Sequence, residues 1–492
     1  MIKTTKEEGM AQVFNPFLPL DEYVPDGEPH VFGDRVYIYG SHDKENGTSF
    51  CMLDYVTYSA SIYDLTDWRY EGVIYSASKD PLYEKYKYMY APDVVRGNDG
   101  KYYLYYSLAN DYPDCSFVIS VAKCDTPSGE FEFLGHLRWQ DGSLFDYGIL
   151  FDPAVMNDQG TIRLYYGMWW PFERDYCGKE MYERLYSISK KTKEEIDKHP
   201  DGIMGPFCVE LCSDMITVKA VPKRILPRDF TGTDFEGHEF FEASSMRKVG
   251  NKYYFIYSSF NCNELCYATS SFPDRDFRFG GTIVSNGDVG YGGRLPKDRL
   301  NRTGNNHGSI ELINGEWYVF YHRHTTKREL SRQACAEKIE IKNDGTIPQV
   351  EMTSCGLNSG PLKKGVFPAI ICCNLTNGNM PQGQCTDMCL PHIISKNGER
   401  FICEIGDNTL IGYKYFQFLG KTRIGVKYRN CHASPNGTLK IMCGDSLVGR
   451  IDIAPSEGWR YAYCDIDISG NFPLYFIYEG NGLLDIIEID IQ

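Results

Sequence analysis

Alternation of hydrophobic and polar positions recurs five times along roughly the first 350 residues of the chain. In each copy a short apolar stretch leads into a turn of Gly, Asn or Asp, and a tyrosine-rich strand with period-two alternation follows. Two alternating runs joined by a tight turn are typical of a β-hairpin. The pattern therefore predicts repeated antiparallel sheets, with copies that begin at Val31, Val94, Ala154, Ser245 and Ile310.

The spacing of the five copies indicates the architecture. Successive copies lie roughly 60 to 90 residues apart, which exceeds the roughly 40 to 50 residues of a plain four-stranded propeller blade. The difference leaves room for two further strands and a loop in each repeat. Helical periodicity is scarce, and residues 190–199 (KKTKEEIDKH) form the clearest short helix. We predict an all-β protein in which residues 14–350 form a five-bladed β-propeller with four strands in each blade.

The pattern changes after Pro348. Residues 351–368 are rich in Gly and Pro and are predicted to form a linker. From 369 to 492 short strands return at close spacing without the hairpin signature. Such a segment is typical of a small β-sandwich. We therefore predict a second domain with a jelly-roll fold.

Charge and hydropathy exclude several function classes. The net charge is −15, and no run rich in Lys or Arg appears, so a nucleic-acid partner is not expected. No stretch approaches the roughly 18 apolar residues that cross a bilayer. The N-terminal residues lack the apolar core of a secretory signal. We expect a cytoplasmic protein that does not associate with membranes.

The cysteines agree with a reducing compartment. All 18 are scattered without a C-x-x-C pair, which favours buried reduced thiols over disulfides. Cys385, Cys389 and His392 are the best zinc ligands that the chain offers. Three candidates at irregular spacing make a weak zinc motif. No metal site is predicted from them.

Three carboxylates stand at equivalent positions, immediately ahead of three of the five hairpin signatures. Asp26 lies in VPDGEPHVF, Asp152 in LFDPAV and Glu242 in FFEASSMRK. The innermost strand of a propeller blade starts near the central axis, so residues just before it point into the central funnel. A single acid there is usually a turn residue, but three at matching repeat phase are expected to converge on one face.

These motifs resemble those of glycoside hydrolase family 43. The opening NPFLPLDEYVPDGEPHVF resembles the family's NP-then-PD segment, FDPAVMNDQGTIRLYYG its DP segment, and FFEASSMRKVGNKYYFIYSS its third acidic motif. The resemblance covers roughly residues 14 to 345. It implies a five-bladed propeller with Asp26 as general base, Glu242 as general acid and Asp152 as the third acid. One departure concerns Gly27, where many members have Pro, while Asp21 precedes the PD motif and is a poorer base.

The chemistry that the resemblance implies is inverting hydrolysis. Such an enzyme needs one protonated carboxyl for the leaving oxygen and one carboxylate that activates water, about 6.5–9.5 Å apart. Glu242 must keep its proton near neutral pH. Asp152 is expected to be an ionised neighbour that raises the pKa of Glu242, because like charges resist coexisting.

The resemblance also suggests residues that contact substrate. His307 matches a histidine at the propeller centre, although a satisfied core histidine is an equal alternative. Arg323 matches an arginine that reaches substrate hydroxyls and the acids, and a rim salt bridge is its alternative. Tyr90 lies where members place a stacking aromatic, and core packing is its alternative. The loops of Trp169 to Phe172 and 112–115 are expected to set substrate identity.

The implied function is exo cleavage of terminal α-L-arabinofuranosyl or β-D-xylosyl groups from oligosaccharides. A galactan- or galactofuranose-cleaving hydrolase on the same scaffold is one alternative, and a non-catalytic carbohydrate-binding propeller is another. The C-terminal segment around Trp459 resembles carbohydrate-binding module family 6, and it either binds sugar or supports the propeller as a structural or dimerising element. No catalytic cofactor is expected. A structural calcium near His307 or in the sandwich, and a homo-oligomer, are left open.

Overall fold

The computed structural model describes residues 12–110, 117–169, 204–383, 389–430 and 437–492, with Thr192 and Glu194. Almost all of the predicted helix at 190–199 lies outside these residues, as do 112–115, 170–172 and Cys385. Within the described part, no helix is long and apolar enough to span a membrane.

Five antiparallel sheets form the first domain, which confirms the predicted five-bladed propeller. Each sheet is a meander whose first strand is an edge strand in the hydrogen-bonding order. Blades one and two comprise β1 Glu28–Phe32, β2 Arg35–Tyr39, β3 Tyr55–Ser61, β4 Asp64–Tyr75, β5 Tyr88–Arg96, β6 Tyr102–Ala109, β7 Phe117–Cys124 and β8 Glu132–His136. Blade three comprises β9 Ala154–Asp158, β10 Thr161–Tyr166, β11 Phe207–Glu210 and β12 Lys223–Arg224.

Blade five departs from the predicted four strands. Blade four has β13 Phe240–Val249, β14 Lys252–Ser259, β15 Glu264–Ser270 and β16 Arg278–Ser285, whereas blade five has only β17 Ser309–Ile313, β18 Glu316–His324 and β19 Arg332–Ile339. The N-terminal segment lies along the open edge of β19. There Asn15 exchanges hydrogen bonds with the main chain of Ala336, and the Phe17 N–H donates to the Ala334 carbonyl. The start of the chain therefore closes the ring.

The tyrosine-rich strands fill the interior of the propeller. Tyr105, Tyr106 and Tyr257 are fully buried, as are several other strand tyrosines. Their hydroxyls find partners, because Tyr105 donates to the Met215 carbonyl and Tyr106 to the Asp80 carboxylate. A buried aromatic hydroxyl is tolerated when it is hydrogen-bonded. These tyrosines are therefore packing residues rather than sugar contacts.

The second domain is the predicted β-sandwich, and it extends further than expected. Its strands are β20 Gly365–Pro368, β21 Asn374–Thr376, β22 His392–Lys396, β23 Glu399–Ile405, β24 Leu410–Asn430, β25 Gly437–Cys443, β26 Ser446–Ile453, β27 Arg460–Gly480 and β28 Leu484–Ile491. All nine belong to one hydrogen-bonded sheet system, in which the long strands β24 and β27 pair along their length. The strand β20 pairs with β28. Part of the segment predicted as a linker is therefore sandwich.

The two domains are joined by buried polar contacts. The Lys414 ammonium of β24 lies 2.8 Å from Asp288 and 2.9 Å from Glu351 of the propeller side. Short 3-10 helices occur at Ala77–Lys79, Asn286–Asp288, Tyr291–Gly293, Pro296–Asp298 and Ala369–Ile371. A buried ion pair with good geometry fixes the relative position of the groups that make it. The sandwich is thus packed firmly against blades four and five.

Candidate active site

The chain enters the inner strands through a strained backbone conformation. Asp26 and Asp152 each lie two residues ahead of their inner strand, with φ angles of 58° and 46°. Blades two and four have Ala91 and Ala243 at φ 32° and 69°. For an alanine this left-handed region costs roughly 1–2 kcal/mol. Such strain clusters at functional sites, and here it recurs at matching positions in four blades.

Asp26 is held as an anion. It is buried, and its Oδ1 accepts a hydrogen bond of 2.8 Å from Arg332 Nη1 and lies 3.2 Å from His322 Nδ1. Burial alone would raise the pKa of Asp26. The Arg332 guanidinium and the neighbouring His322 and His307 outweigh burial and hold the pKa of Asp26 well below its usual range. Asp26 is therefore ionised across the physiological pH range, as a general base must be.

Asp152 and Glu242 lie in an environment that, unlike that of Asp26, favours a protonated carboxyl. Both are buried, and the main-chain N–H of Ala243, next to Glu242, donates to Asp152 Oδ2 at 2.9 Å. Burial, followed by the charges of Glu242 and Asp26, raises the pKa of Asp152 well above its usual value, which is opposite to the prediction that Asp152 is the ionised neighbour in this pair. Two close carboxyls resist double ionisation, so the pair keeps one proton to a higher pH than an ordinary carboxyl would.

His307 lies between the two aspartates. Its Nδ1 is 3.8 Å from Asp26 Oδ1 and 3.7 Å from Asp152 Oδ2. Burial lowers the pKa of His307 to about 4, so the imidazole is neutral at neutral pH. The structure thus brings four of the predicted residues into one cluster at the centre of the propeller: Asp26, Asp152, Glu242 and His307.

The other predicted substrate contacts are placed as follows. The Arg323 guanidinium donates to the carbonyls of Cys372 and Ile370 in the sandwich, at 2.6 and 3.4 Å, and so faces the domain joint. The Tyr90 ring is half-buried and packs 5.4 Å from Phe151, the residue before Asp152. Tyr90 therefore borders the acid cluster, whereas Arg323 does not.

Trp169 is largely enclosed in the hydrophobic core that blades three and four share. Its ring packs edge-on against Phe230 at 4.9 Å, and its main-chain N–H donates to the carbonyl of Phe241. Because Phe241 precedes Glu242, the Trp169 main chain supports the segment that carries the acid. The side chain has 8% of its surface exposed, which favours a packing role over an open sugar platform.

Arg332 is a functional residue that the sequence analysis missed, as is His322 beside Asp26. Arg332 begins β19, is 2% exposed, and also binds Asp43 through Nε at 2.9 Å and Nη2 at 3.1 Å. Its guanidinium lies 4.7 Å from the centre of the Phe50 ring. A planar, always-charged fork suits this double carboxylate contact. The SHD sequence after β2 contains Asp43, a buried acid in a loop, which is a signal that a cation should be nearby.

Loss of Arg332 should move the pH profile. In Arg332→Met the pKa of Asp26 rises, because the largest stabiliser of its anion is gone. The acidic limb of kcat/KM should therefore shift to higher pH by about 1–3 units. Arg332→Lys keeps the charge and should shift it less. The limb is read from initial rates between pH 3 and 8 on protein shown to be folded by circular dichroism, and an unchanged limb in folded Arg332→Met would contradict this role.

Two further donor clusters occur among the described residues, Glu28–His30–Asp93 and His238–Glu264–Cys266. In both clusters, several of the possible ligand atoms already contact other protein groups. Arg247 donates to Glu28 at 2.9 Å, and His30 lies 2.6 Å from Asp93. Cys389 and His392 do not join a cluster of three donors within the described part, and Cys385 lies outside it.

The site combines an ionised aspartate with a carboxyl pair that holds a proton, at the centre of a five-bladed propeller. Glycoside hydrolases use such a combination of carboxyl groups. The chain belongs to glycosyl hydrolases family 43, whose family model matches residues 15–347. A xylosidase/arabinosidase of Thermoclostridium stercorarium is 43% identical over 494 residues, which cover 96% of this chain and 97% of that protein.

Solved structures show the same relationship. The family 43 enzyme of Xanthomonas citri in complex with xylotriose is 26% identical, with a TM-score of 0.52 over 71% of this chain and 96% of that one. A β-xylosidase/α-arabinofuranosidase from a compost metagenome, solved with xylotriose in a calcium-free form, is also 26% identical. Its TM-score is 0.51, over 68% of this chain and 96% of that one. The family 6 assignment of the sandwich stays a prediction.

Proposed function

We propose that this protein is an inverting, exo-acting glycosidase that releases terminal α-L-arabinofuranosyl or β-D-xylosyl groups from oligosaccharides. The relative that matches nearly the whole chain is named a xylosidase/arabinosidase, and both solved relatives were studied with xylotriose. The observation that carries the proposal is the contrast between Asp26, kept ionised by Arg332, and the proton-holding pair of Asp152 and Glu242.

The mechanism assigns one proton transfer to each side of the sugar. Asp26 takes a proton from a water molecule, and the water oxygen attacks the anomeric carbon from the face opposite the leaving group. Glu242 gives its proton to the glycosidic oxygen as the bond to the anomeric carbon breaks. Water is consumed, the proton is restored through solvent, and the anomeric configuration inverts. The carboxyl groups of Asp26 and Glu242 are predicted to lie about 6.5–9.5 Å apart.

Asp152 and His307 assist without exchanging the transferred protons. Asp152 accepts the Ala243 N–H beside Glu242, which holds the acid segment in position, and the two close carboxyls share one proton. The neutral His307 ring lies between Asp26 and Asp152, with its Nδ1 3.8 Å from one carboxylate and 3.7 Å from the other, and so helps to hold the two acids in position. Each role depends on burial, because the interior strengthens these interactions.

No step needs a metal, because the two carboxyls carry both proton transfers. A structural calcium near His307 remains part of the proposal. The protein donors there are one imidazole nitrogen and the carboxylates of Asp26 and Asp152. Calcium takes about 6–8 oxygen ligands, so water would have to supply most of the shell. The cytoplasmic location and a homo-oligomer also remain proposals, for cell fractionation and sedimentation to test.

A panel of aryl glycosides tests the substrate class. We expect turnover of 4-nitrophenyl α-L-arabinofuranoside and β-D-xylopyranoside, with the arabinofuranoside slightly preferred, and rates at least about tenfold lower on galactosides, because a pocket shaped for a pentose must accommodate an extra hydroxymethyl group. The Asp26→Ala variant measured in parallel gives the background of any contaminating activity. Cleavage of a galactoside with neither pentoside turned over would overturn the pentosidase assignment while leaving the acid cluster in place.

A further inference from the structure

Asp43 is a buried acid that does not belong to the three catalytic carboxyls. It lies in the loop that follows β2, and its side chain is fully enclosed. Its Oδ1 accepts the main-chain N–H of Cys51 at 3.0 Å, and its Oδ2 accepts the main-chain N–H of Arg332 at 3.1 Å. Its own main-chain N–H donates to the Tyr23 carbonyl at 2.9 Å. These main-chain contacts hold the carboxylate in one orientation.

The fixed carboxylate binds the guanidinium of Arg332 along one edge. Nε donates to Asp43 Oδ2 at 2.9 Å and Nη2 donates to Asp43 Oδ1 at 3.1 Å, so the two groups form a fork with two parallel hydrogen bonds. Nη2 also lies 3.6 Å from Cys51 Sγ. Paired bonds of this kind fix the plane and the direction of a guanidinium. The orientation of Arg332 is therefore set by Asp43.

Held in this way, Arg332 reaches Asp26 through a single nitrogen. Nη1 donates to Asp26 Oδ1 at 2.8 Å, and the Nδ1 atoms of His322 and His307 lie 3.2 and 3.8 Å from the same oxygen. Within the part of the chain that the structure describes, no polar contact of the Asp26 side chain involves Oδ2. Hydrogen bonds to a carboxylate oxygen stabilise its charged form. Oδ2 is thus the oxygen that is left to accept a proton.

An arginine without this restraint would have another way to bind Asp26. A guanidinium readily holds one carboxylate through two nitrogens. Asp26 and Asp43 are both in contact with Arg332, at 2.8 and 2.9 Å. If Arg332 turned to bind both oxygens of Asp26, Oδ2 would be occupied and the anion would become a weaker base. Because Asp43 engages Nε and Nη2, that arrangement is disfavoured.

We propose that Asp43 is a positioning residue that acts through Arg332 and keeps Oδ2 of Asp26 free for the proton of the attacking water. The inference rests on the proposed role of Asp26 as general base. The Asp43 carboxylate contacts neither sugar nor water in this scheme, since its two oxygens accept the fork and two main-chain N–H groups. A change at Asp43 should therefore slow the chemical step and leave sugar binding unaltered.

Asp43→Asn keeps the size of the side chain but removes one acceptor oxygen of the fork. The amide N–H groups oppose those of the guanidinium, so Arg332 is released toward Asp26. We expect kcat to fall by about 10–100-fold, with KM within about twofold of wild type and the same loss for every aryl leaving group. The matched control Asp67→Asn removes an exposed aspartate that lies 3.4 Å from Arg69, and it should leave both constants unchanged.

A double-mutant cycle distinguishes positioning from a merely structural effect. If Asp43 acts through Arg332, Asp43→Asn should change kcat by less than about twofold in protein that already carries Arg332→Met, because no fork is left to lose. Arg332→Lys keeps the charge without the fork, and it replaces Arg332→Met in the cycle if that variant does not fold. A loss in the double variant equal to the product of the two single losses would overturn the inference.

Asp26→Ala, measured in parallel, separates a failure of this inference from a failure of the proposed general base. An inactive Asp26→Ala variant together with a wild-type kcat in folded Asp43→Asn would overturn the role of Asp43 alone. Wild-type activity in Asp26→Ala would overturn the proposed mechanism and, with it, this inference.

Discussion

Replacing Asp26 by alanine should lower kcat by about 10³–10⁴-fold on every glycoside, whatever its leaving group. Asp26 is the acid that Arg332, His322 and His307 keep ionised. Without Asp26, none of the residues that the structure describes places an ionised carboxylate at this position to take a proton from water. Because the loss concerns attack by water, a better leaving group cannot compensate for it.

A small external nucleophile distinguishes a lost base from a damaged fold. Azide needs no deprotonation, so it should restore turnover of an aryl glycoside by Asp26→Ala and yield a glycosyl azide of inverted configuration. Asp34→Ala, an exposed acid in the turn that follows β1, is the matched control and should retain activity. Substantial residual hydrolysis in Asp26→Ala, or a loss that azide does not relieve in protein shown to be folded, would assign the base elsewhere.

Replacing Glu242 by glutamine should produce a loss that depends on the leaving group. For an oligosaccharide, whose alkoxide leaves poorly without a proton, we expect kcat to fall by about 10²–10⁴-fold. For 2,4-dinitrophenyl glycosides the fall should be far smaller, because their phenolates leave without protonation. The measurement is a plot of log kcat/KM against leaving-group pKa, which should become steeper in the variant.

The control for Glu242→Gln is the same substitution at a position away from the site. Glu316→Gln removes an exposed carboxylate of blade five, 2.7 Å from Lys338, and should leave the slope unchanged. Equal losses across all leaving groups in Glu242→Gln would show that this residue positions substrate or supports the fold. Asp152 would then be the next candidate for the acid.

Much of the site could be predicted from the sequence because repeat phase carries geometric information. Asp26 and Asp152 each stand two residues before an inner strand, and Glu242 is the third residue of one. A propeller directs the starts of its inner strands to its axis, so Asp26 and Asp152, at the same phase, and Glu242, one residue before the matching Ala243, come close together in space. The hairpin signature could be recognised locally, since a turn and two alternating runs are adjacent in the chain.

The motif resemblance pointed to Arg323, whereas the arginine that binds Asp26 is Arg332. Strand alternation would have argued against Arg323. Successive side chains in a strand point to opposite faces. His322 and His324 therefore share one face of β18, where His322 reaches Asp26, and Arg323 between them faces the sandwich. Arg332, one strand later, was identified only by its contacts with Asp26 and Asp43.

The features that escaped prediction depend on partners distant in the chain. Blade five is completed by Asn15, which binds Ala336 across 321 residues. The strand β20 lies in a Gly- and Pro-rich segment, and only its pairing with β28 near the C-terminus makes it part of a sheet. Local composition carries no information about such pairings.

The stereochemistry of the first-formed sugar tests the central claim most directly. Hydrolysis of 4-nitrophenyl β-D-xylopyranoside at high enzyme concentration is followed by proton NMR before the product mutarotates. If Asp26 activates water while Glu242 protonates the leaving group, the α anomer of xylose appears first and the β anomer grows in only by mutarotation. Initial release of the β anomer would show retention, and with it a covalent intermediate in place of direct attack by water.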